Sequence, residues 1–235
     1  MANRMKIFEY DDLIFQVRES ERRETLEIIV DRDGSLLLVT PPDAPPAALE
    51  QFVADKLVWI YTKLEEKAAQ ARREPRVYVQ GEGFYYLGRR YRLRLVDAEA
   101  QRVPLRLFQG RFCLRRDVLP HARERFIRWY TLHLQPVLDR MVPEWGERVG
   151  AAPREVHIQD LGYRWGSRGK RGHVYFHWRV AMLPRPMIEY VVAHELVHLV
   201  EGNHDDAFWA RLARLLPDYA ERQRWLRVEG ARYDL

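Results

Sequence analysis

Two histidines and a glutamate in the C-terminal third of the chain have the spacing of a metal-binding helix. His194, Glu195 and His198 form an HExxH motif within a run, 187–200, that contains no Gly or Pro. Residues four apart lie on one face of a helix, about 6 Å from each other, so both imidazoles can bind one ion. Glu195 is turned about 100° around the axis and can contact a water on that ion without being a ligand. The motif therefore predicts a catalytic metal site.

A third histidine, His204, follows after a predicted break in the helix. On a continuous helix, His204 would lie about 240° around the axis from His198 and could not reach the same ion. Gly202-Asn203 predicts the break, because both residues accept the left-handed conformation that ends helices. Three imidazole nitrogens and one water then complete a catalytic zinc site, with His194, His198 and His204 as the ligands. The sequence offers three alternative third ligands: Glu201, Glu221 and Glu229.

The residues around the motif resemble the YgjP-like metallopeptidases, which are related to the SprT and WLM-type zinc proteases. The resemblance rests on HELVHLVEGNHDDAFW at 194–209, LLPDYAERQRWL at 215–226, RWGS at 164–167, and a strand ending in Trp178. Farther upstream, the chain also resembles the family's hairpin, at Gly81, Leu87-Gly88, Tyr91 and Leu93. The similarity therefore covers roughly residues 20–228.

The resemblance implies that His194, His198 and His204 bind zinc and that Glu195 is catalytic. Two positions depart from the usual family pattern. Arg168 follows RWGS where the family often has Cys, and His177 precedes the strand Trp where the family often has Asn. Because both positions lie near the predicted site, we expect them to affect substrate preference.

The predicted activity is that of a zinc metalloendopeptidase acting on a protein or peptide. Zinc would lower the pKa of its bound water from about 16 toward about 7, and Glu195 would carry the water's proton to the leaving amine. A further donor must stabilise the oxyanion that forms. Candidates for contacts with the substrate or the oxyanion are His177, Tyr175, Tyr219 and Arg164. The alternatives are a solvated strand face for Tyr175 and His177 and a packed tyrosine for Tyr219.

Other functions are compatible with parts of the sequence. A nucleic-acid-associated protein would be either a protease of DNA-bound proteins or a DNA-binding accessory with a vestigial metal site. Arg90, Arg92 and Arg94 share one face of a predicted strand, which suits phosphates but also a solvated edge. A purely structural zinc ion is disfavoured because only three ligands are evident. A second metal at His173 and His177 is disfavoured because these positions of a strand lie about 13 Å apart.

The composition is that of an ordinary soluble protein, with 47% hydrophobic and 31% charged residues among 235. Cys113 is the only cysteine, which excludes an internal disulfide and a thiolate zinc cluster. The N-terminal residues lack an apolar signal core, and no run of 18 apolar residues occurs. These features predict a cytoplasmic protein without a membrane partner. A net charge of +5 permits an anionic partner such as nucleic acid.

Hydrophobic periodicity and turn residues predict an α+β fold. Helices are predicted at 47–73, 119–149, 187–200, 206–216 and 219–228, with Pro136 and Pro143 kinking or dividing the second helix. Strands are predicted at 13–17, 26–30, 36–39, 84–87, 91–96, 105–108, 112–114, 156–159, 163–165 and 173–180, with Asp33-Gly34 as one hairpin signal. The sequence shows no internal repeat.

The predicted architecture has a β-rich N-terminal lobe, residues 1–118, which contains one long helix. This lobe would pack on a small zincin-like catalytic lobe, residues 119–235, with the HExxH helix and a three-stranded antiparallel ribbon. The boundary leaves no room for a linker, so we expect one compact body. Strand 173–180 is predicted to form the rim of the cleft, where an extended substrate would add to its edge.

Overall fold

The computed structural model describes residues 6–11, 13–21, 23–31, 34–71, 76–162, 164–202 and 204–235. Over these residues the protein is a mixed α+β fold with five α-helices and three small sheets. Backbone contacts divide the chain into unit 1, Met1–Glu74, and unit 2, Pro75–Leu235. The boundary predicted near residue 118 therefore lies inside unit 2. Within the described part of the chain, no helix combines the length and apolarity needed to cross a membrane.

Unit 1 is a four-stranded sheet with one long helix. Its elements are β1 (Lys6–Tyr10), β2 (Leu13–Glu19), β3 (Glu27–Val30), β4 (Leu36–Thr40) and α1 (Pro46–Ala71). The strand order is β1-β2-β4-β3, with the central pair β2/β4 parallel and both outer pairs antiparallel. Apolar side chains of α1, including Val53 and Ile60, pack with Phe15 and Leu38 of the sheet. Strand β1 was not predicted, and Asp33 of the hairpin signal lies outside the described residues.

The first part of unit 2 repeats this arrangement. Its elements are β5 (Gly83–Tyr86), β6 (Arg89–Val96), β7 (Leu105–Phe108), β8 (Arg111–Arg115) and α2 (Ala122–Val149). The strand order is β5-β6-β8-β7, again with a parallel central pair, β6/β8, and antiparallel outer pairs. A topological repeat is therefore present, although no repeat is evident in the sequence.

Aromatic packing joins this sheet to α2. The Phe126 ring lies 4.3 Å from Phe84 and 5.2 Å from Phe112 between centroids, and the Tyr130 hydroxyl donates to the Tyr85 carbonyl at 2.6 Å. This shared core explains why residues 75–118 belong with the C-terminal part of the chain. The helix continues through Pro136 and Pro143, so the predicted division is wrong. Its buried face outweighs the hydrogen bonds that the two prolines remove.

A three-stranded sheet follows α2. It consists of β9 (Glu155–Gln159), β10 (Gly166–Arg168) and β11 (His173–His177), in the order β10-β11-β9. Strand β10 is antiparallel to β11, but β9 is parallel to it, so the predicted antiparallel ribbon is wrong. Residues 160–172 supply the long connection that a parallel pair needs. The predicted strand 163–165 precedes β10, and Tyr163 lies outside the described residues.

Three helices complete unit 2: α3 (Arg185–Val197), α4 (Asp206–Leu215) and α5 (Tyr219–Glu229). Buried Ile188, Val192 and Leu196 give α3 an apolar face within the core. The turn between β5 and β6 holds the approach to α3, because Gly88 donates its N–H to the Met182 carbonyl at 3.0 Å. Gly88 has φ +78°, and a Cβ there would lie 2.8 Å from Pro184 Cα, so only glycine fits this contact.

Candidate metal centre

Three imidazoles converge at the C-terminal end of α3. His194 lies in the last turn of the helix and His198 is the residue that follows it. The Nε2 atom of His204 lies 2.9 Å from Nε2 of His194 and 3.0 Å from Nε2 of His198. These separations approach the roughly 3.3 Å between two nitrogens on one tetrahedral zinc ion. The structure thus brings together all three histidines that the sequence predicts.

Helix α3 ends at Val197 rather than at the predicted residue 200, and a different local structure ends it. Beyond Val197, the chain tightens into a turn in which Leu199 and Val200 donate to carbonyls three residues back, each at 3.0 Å. Gly202 is not among the glycines with a positive φ, so the predicted left-handed break at this residue is wrong. Asn203 lies outside the described residues. This tight final turn, rather than a glycine cap, directs the chain back toward the helix.

The start of α4 holds His204 from the other side. Asp205 caps the helix, because its Oδ1 accepts the Phe208 N–H at 3.0 Å. Trp209 Nε1 donates to the His204 carbonyl at 3.1 Å, and its ring stacks on the His204 ring at 5.5 Å between centroids. The backbone and the ring of His204 are therefore both fixed by the first turn of α4.

Phe208 forms an apolar floor beneath the three imidazoles. Its ring centroid lies 4.9 Å from that of His194, 4.5 Å from that of His198 and 4.8 Å from that of His204. The side chain is fully buried. This contact excludes water from one side of the cluster and leaves the nitrogens to meet on the other.

A hydrogen bond selects the tautomer of His198. Its Nδ1 lies 3.1 Å from the Glu201 carbonyl oxygen, so a proton on Nδ1 leaves the Nε2 lone pair free to face the other two rings. Arg168 Nη1 donates to the His198 carbonyl at 2.7 Å and holds the same residue from the backbone. The Glu201 carboxylate pairs with Arg211 at 3.1 Å, and this pairing leaves His204 as the better third ligand.

Burial favours the neutral form of each imidazole. It lowers the pKa of His194 to about 3, with further lowering from His198 and His204. Burial also lowers the pKa values of His198 and His204. Neutral imidazole is the form that binds metal ions.

Glu195 is buried beside Gly166, the first residue of β10. A Cβ added to Gly166 would lie 2.5 Å from Glu195 Cγ and 2.6 Å from its Oε1, so the absence of a side chain makes room for the carboxyl group. Burial raises the pKa of Glu195 to about 8, while the Arg164 charge and a backbone hydrogen bond from Arg168 act to lower it. The carboxyl group is therefore held in a tight, largely dry position.

The chemistry of the three ring nitrogens fits a divalent metal ion. A neutral imidazole carries one N–H, and His198 Nδ1 uses its own for the Glu201 carbonyl. His204 Nε2 carries either one N–H or one lone pair, so it can form a hydrogen bond with only one of its two neighbours, and the other pair of polar nitrogens lies within 3.0 Å without a hydrogen bond between them. A cation shared by three Nε2 lone pairs satisfies all three nitrogens at once.

Comparison with known proteins decides the family. The profile of the YgjP-like metallopeptidase domain matches residues 24–229. The chain belongs to the YgjP-like metallopeptidase family. No curated protein matches the sequence. Among solved structures, the metallopeptidase zymogen abylysin of Pyrococcus abyssi is 20% identical with a TM-score of 0.36, over 40% of this chain and 95% of that chain.

Family membership makes this YgjP-like protein a metal-dependent peptidase, a hydrolase whose activity requires a divalent metal. In the described residues, two groups of side chains could hold such an ion. One is the cluster of His194, His198 and His204. The other consists of Glu155, His157 and His173 on the three-stranded sheet.

Three other residues of this YgjP-like chain were predicted to contact the substrate or the oxyanion: Arg164, Tyr219 and Tyr175. Arg164 is close enough to influence Glu195 electrostatically, and Tyr219 stacks on Trp209 at 5.5 Å between centroids. Tyr175 lies on β11 and stacks on His157 at 5.0 Å. Their contacts with a substrate stay predictions.

His177 points into the core. It is 1% exposed, its Nδ1 accepts the Arg179 N–H at 3.1 Å, and its Nε2 lies 3.4 Å from Asp160. A bound substrate cannot reach this side chain in the described conformation, so we do not propose the contact. The predicted solvated face is also wrong for His177, because its side chain is buried.

Sequence reasoning missed three residues that build the site, Gly166, Phe208 and Trp209, and it missed the hydrogen bond from Arg168 to the His198 carbonyl. Gly166 belongs to the RWGS segment, which marked the family but gave this glycine no role. Arg168 follows that segment and was expected to affect substrate preference, not to hold the backbone of a metal ligand. Phe208 is fully buried, whereas the half-buried Trp209 contacts His204. The 3.6-residue periodicity of α4 reports burial and does not distinguish core packing from contact with a ligand.

Proposed function

We propose that the protein is a zinc-dependent endopeptidase with His194, His198 and His204 as zinc ligands and Glu195 as the general base. The observation that carries this proposal is the convergence of three Nε2 atoms. The Nε2 atom of His204 lies 2.9 Å from that of His194 and 3.0 Å from that of His198. Three imidazoles with no thiolate are a ligand set of catalytic zinc sites, in which one position stays open. Membership of a metallopeptidase family supports the same assignment.

The reaction follows from the positions of the protein groups. Bound zinc supplies Lewis-acid activation of a water molecule and polarisation of the scissile carbonyl. The Glu195 carboxylate accepts the proton of the attacking water and delivers it to the nitrogen of the leaving amine. Gly166 makes room for this carboxylate, and Phe208 keeps water from the floor of the site. Arg164 and Tyr219 are the two proposed donors for the oxyanion.

The substrate would bind in an extended form along β10. The predicted rim strand, β11, lies between β10 and β9, so both of its edges are already paired. Strand β10 is at the edge of the sheet, and its first residue touches Glu195. Main-chain hydrogen bonds to such an edge provide affinity with little sequence preference. We therefore assign the role predicted for strand 173–180 to 166–168.

Metal content and peptide hydrolysis test the proposal together. Wild type and Glu195→Gln should both contain zinc at the metal centre, but Glu195→Gln should lose peptide hydrolysis because it cannot accept the proton. His198→Ala should lose the zinc ion of the three-histidine centre as well as activity. His121→Ala is the matched control, because this exposed histidine pairs with Glu124 away from the cluster.

The measurements are zinc by mass spectrometry and cleavage of an unfolded protein. Cleavage by Glu195→Gln at the wild-type rate would refute the role of Glu195. Retention of the full wild-type zinc content in His198→Ala would refute the ligand set.

An arginine-rich strand supports a second candidate function, contact with a nucleic acid. Arg90, Arg92 and Arg94 on β6 are exposed, and Arg111 is paired with Arg92 on the neighbouring strand. Such a face can neutralise phosphates, and its binding would weaken steeply as salt increases. Titration of a DNA oligonucleotide at several salt concentrations tests this candidate, with Arg92→Gln and Arg94→Gln together as the variant. Unchanged binding by this double variant would refute it.

A further inference from the structure

A second group of metal-ligating side chains lies on the three-stranded sheet. Glu155 and His157 are on β9, and His173 is on β11. In the parallel register, Glu155 is paired with His173, and His157 with Tyr175. Paired residues project on the same face of a sheet, so Glu155, His157 and His173 share one face.

This face is turned away from the first metal centre. Gly166 of β10, which contacts Glu195 of α3, is paired with Phe176. Phe176 follows Tyr175 in the strand and therefore projects on the opposite face from it. The two groups of potential ligands thus occupy opposite sides of the sheet and do not share an ion.

The three potential donor atoms form a compact triangle. His157 Nε2 lies 3.0 Å from Glu155 Oε2 and 3.3 Å from His173 Nδ1, and His173 Nδ1 lies 3.4 Å from the same Oε2. Donors about 2.0–2.2 Å from one tetrahedral zinc ion are separated by roughly 3.3 Å. The triangle therefore has the dimensions of one face of a coordination tetrahedron.

The packing around the triangle holds the rings in this arrangement. The His157 and His173 rings are nearly parallel, with centroids 5.5 Å apart, and Tyr175 stacks on His157. The side chains remain accessible, at 40% exposed for His157, 23% for His173 and 53% for Glu155. An ion can therefore reach the triangle from solvent, and water can complete its coordination.

We propose that Glu155, His157 and His173 form a second binding site for a divalent transition metal ion, independent of the peptidase centre. Two imidazoles and one carboxylate suit Zn²⁺, Co²⁺ or Ni²⁺, whereas Mg²⁺ and Ca²⁺ prefer oxygen ligands alone. The bound ion ties the edge strand β9 to β11 through side chains. His173 and His177 were disfavoured as a metal pair in the sequence, and the structure instead places His173 beside His157 across the two strands.

Zinc titration of the metal-free full-length protein tests this site. We expect wild type to bind two equivalents of Zn²⁺ in calorimetry. His157→Phe and His173→Phe keep a ring that can pack but remove the donor nitrogen, so each should weaken one equivalent by at least about 100-fold. His121→Phe is the control and should retain both equivalents, because this histidine has a nearby carboxylate, Glu124, but belongs to neither of the two groups of potential ligands found in the described part of the chain.

The His194→Ala background separates this site from the peptidase centre. His194→Ala should retain one equivalent of Zn²⁺, and His194→Ala with His173→Phe should retain none. Glu155→Gln preserves the shape of the site and should weaken the same equivalent, with circular dichroism confirming that each variant is folded. A single equivalent in wild type that survives His173→Phe would overturn the proposal. So would a second equivalent that persists in His157→Phe with His173→Phe.

Discussion

At the scale of single residues, Gly166 sets the space that the Glu195 carboxylate occupies. A Cβ added at Gly166 would lie 2.6 Å from Glu195 Oε1, so an alanine at this position would displace the carboxyl group. We expect Gly166→Ala to lower kcat for peptide cleavage about 100-fold, because a shift of about 1 Å in a reacting group has this effect. The zinc ligands are separate side chains, and the zinc content should be unchanged.

Gly202→Ala provides the matched control for this prediction. Gly202 lies close to the same site, but the nearest atom to its Cβ position is Arg168 Nη1 at an ordinary 3.6 Å. This variant should retain most of the wild-type kcat. Equal loss of activity in the two variants would mean that the Gly166 effect is not a displacement of Glu195.

A second residue, Tyr78, links stability to alkaline pH. Its buried hydroxyl has no hydrogen-bond partner among the described residues, and burial raises its pKa to about 12. Tyrosine in an unfolded chain has a pKa of about 10. Below pH 10 the neutral form is present in both states, and between about pH 10 and 12 only the unfolded state ionises. The contribution of Tyr78 to stability is therefore lost as pH rises through this window.

We expect Tyr78→Phe to lose less stability than wild type when the pH is raised from 8 to 11. At pH 8 the variant should be as stable as wild type or about 1 kcal/mol more stable, because an unpaired hydroxyl is removed. Tyr130→Phe is the contrasting variant, since it loses the hydrogen bond to the Tyr85 carbonyl and should be about 1 kcal/mol less stable at pH 8. Urea unfolding at both pH values measures these differences. A steeper loss for Tyr78→Phe would contradict the prediction.

At the scale of elements, the N-terminus of α4 positions the third ligand. Asp205→Ala removes the cap that accepts the Phe208 N–H, at a cost of about 1 kcal/mol. The first turn of α4 also carries Trp209, which holds the His204 carbonyl. We therefore expect Asp205→Ala to weaken zinc binding at the three-histidine centre as well as stability.

Asp206→Ala separates capping from charge. Asp206 is an acid in the first turn of the same helix, and α4 is capped by Asp205 rather than by this residue. The charge change is identical in the two variants, but Asp206→Ala should retain zinc affinity close to wild type. Competition with a chromophoric chelator measures the affinities. Equal weakening in both variants would assign the effect to charge alone.

Local patterns predicted most of the helices and strands, and the motif predicted the three converging histidines. The predicted helix 206–216 matches α4 closely, because capping and periodicity are determined by neighbours in sequence. The parallel pairing of β9 with β11 could not be predicted, since strand partners depend on contacts between distant residues. For the same reason, the sequence could not predict the contact of Gly166 with Glu195 or the proximity of His157 to His173.

At the scale of the whole molecule, the chain consists of two units, and each has its own group of buried apolar side chains. The three-histidine cluster, Glu195 and Gly166 all belong to unit 2. We therefore expect residues 75–235 expressed alone to fold cooperatively, bind zinc and cleave the same unfolded protein as the full chain. Thermal unfolding and zinc analysis check this prediction. A fragment without a cooperative transition would show that unit 2 requires residues 1–74 to fold.

The strand order that occurs in both units also has a kinetic consequence. In each sheet two hairpins form from neighbouring strands, β1/β2 with β3/β4 and β5/β6 with β7/β8, and each pairing closes a short loop. The central parallel pair joins Phe15 to Leu36 and Leu93 to Phe112, each about twenty residues apart in the chain. Loop-closure entropy grows with that separation, so the hairpins form early and docking of one on the other limits the folding rate. The two sheets, although unlike in sequence, are therefore expected to cross their folding barriers at the same step.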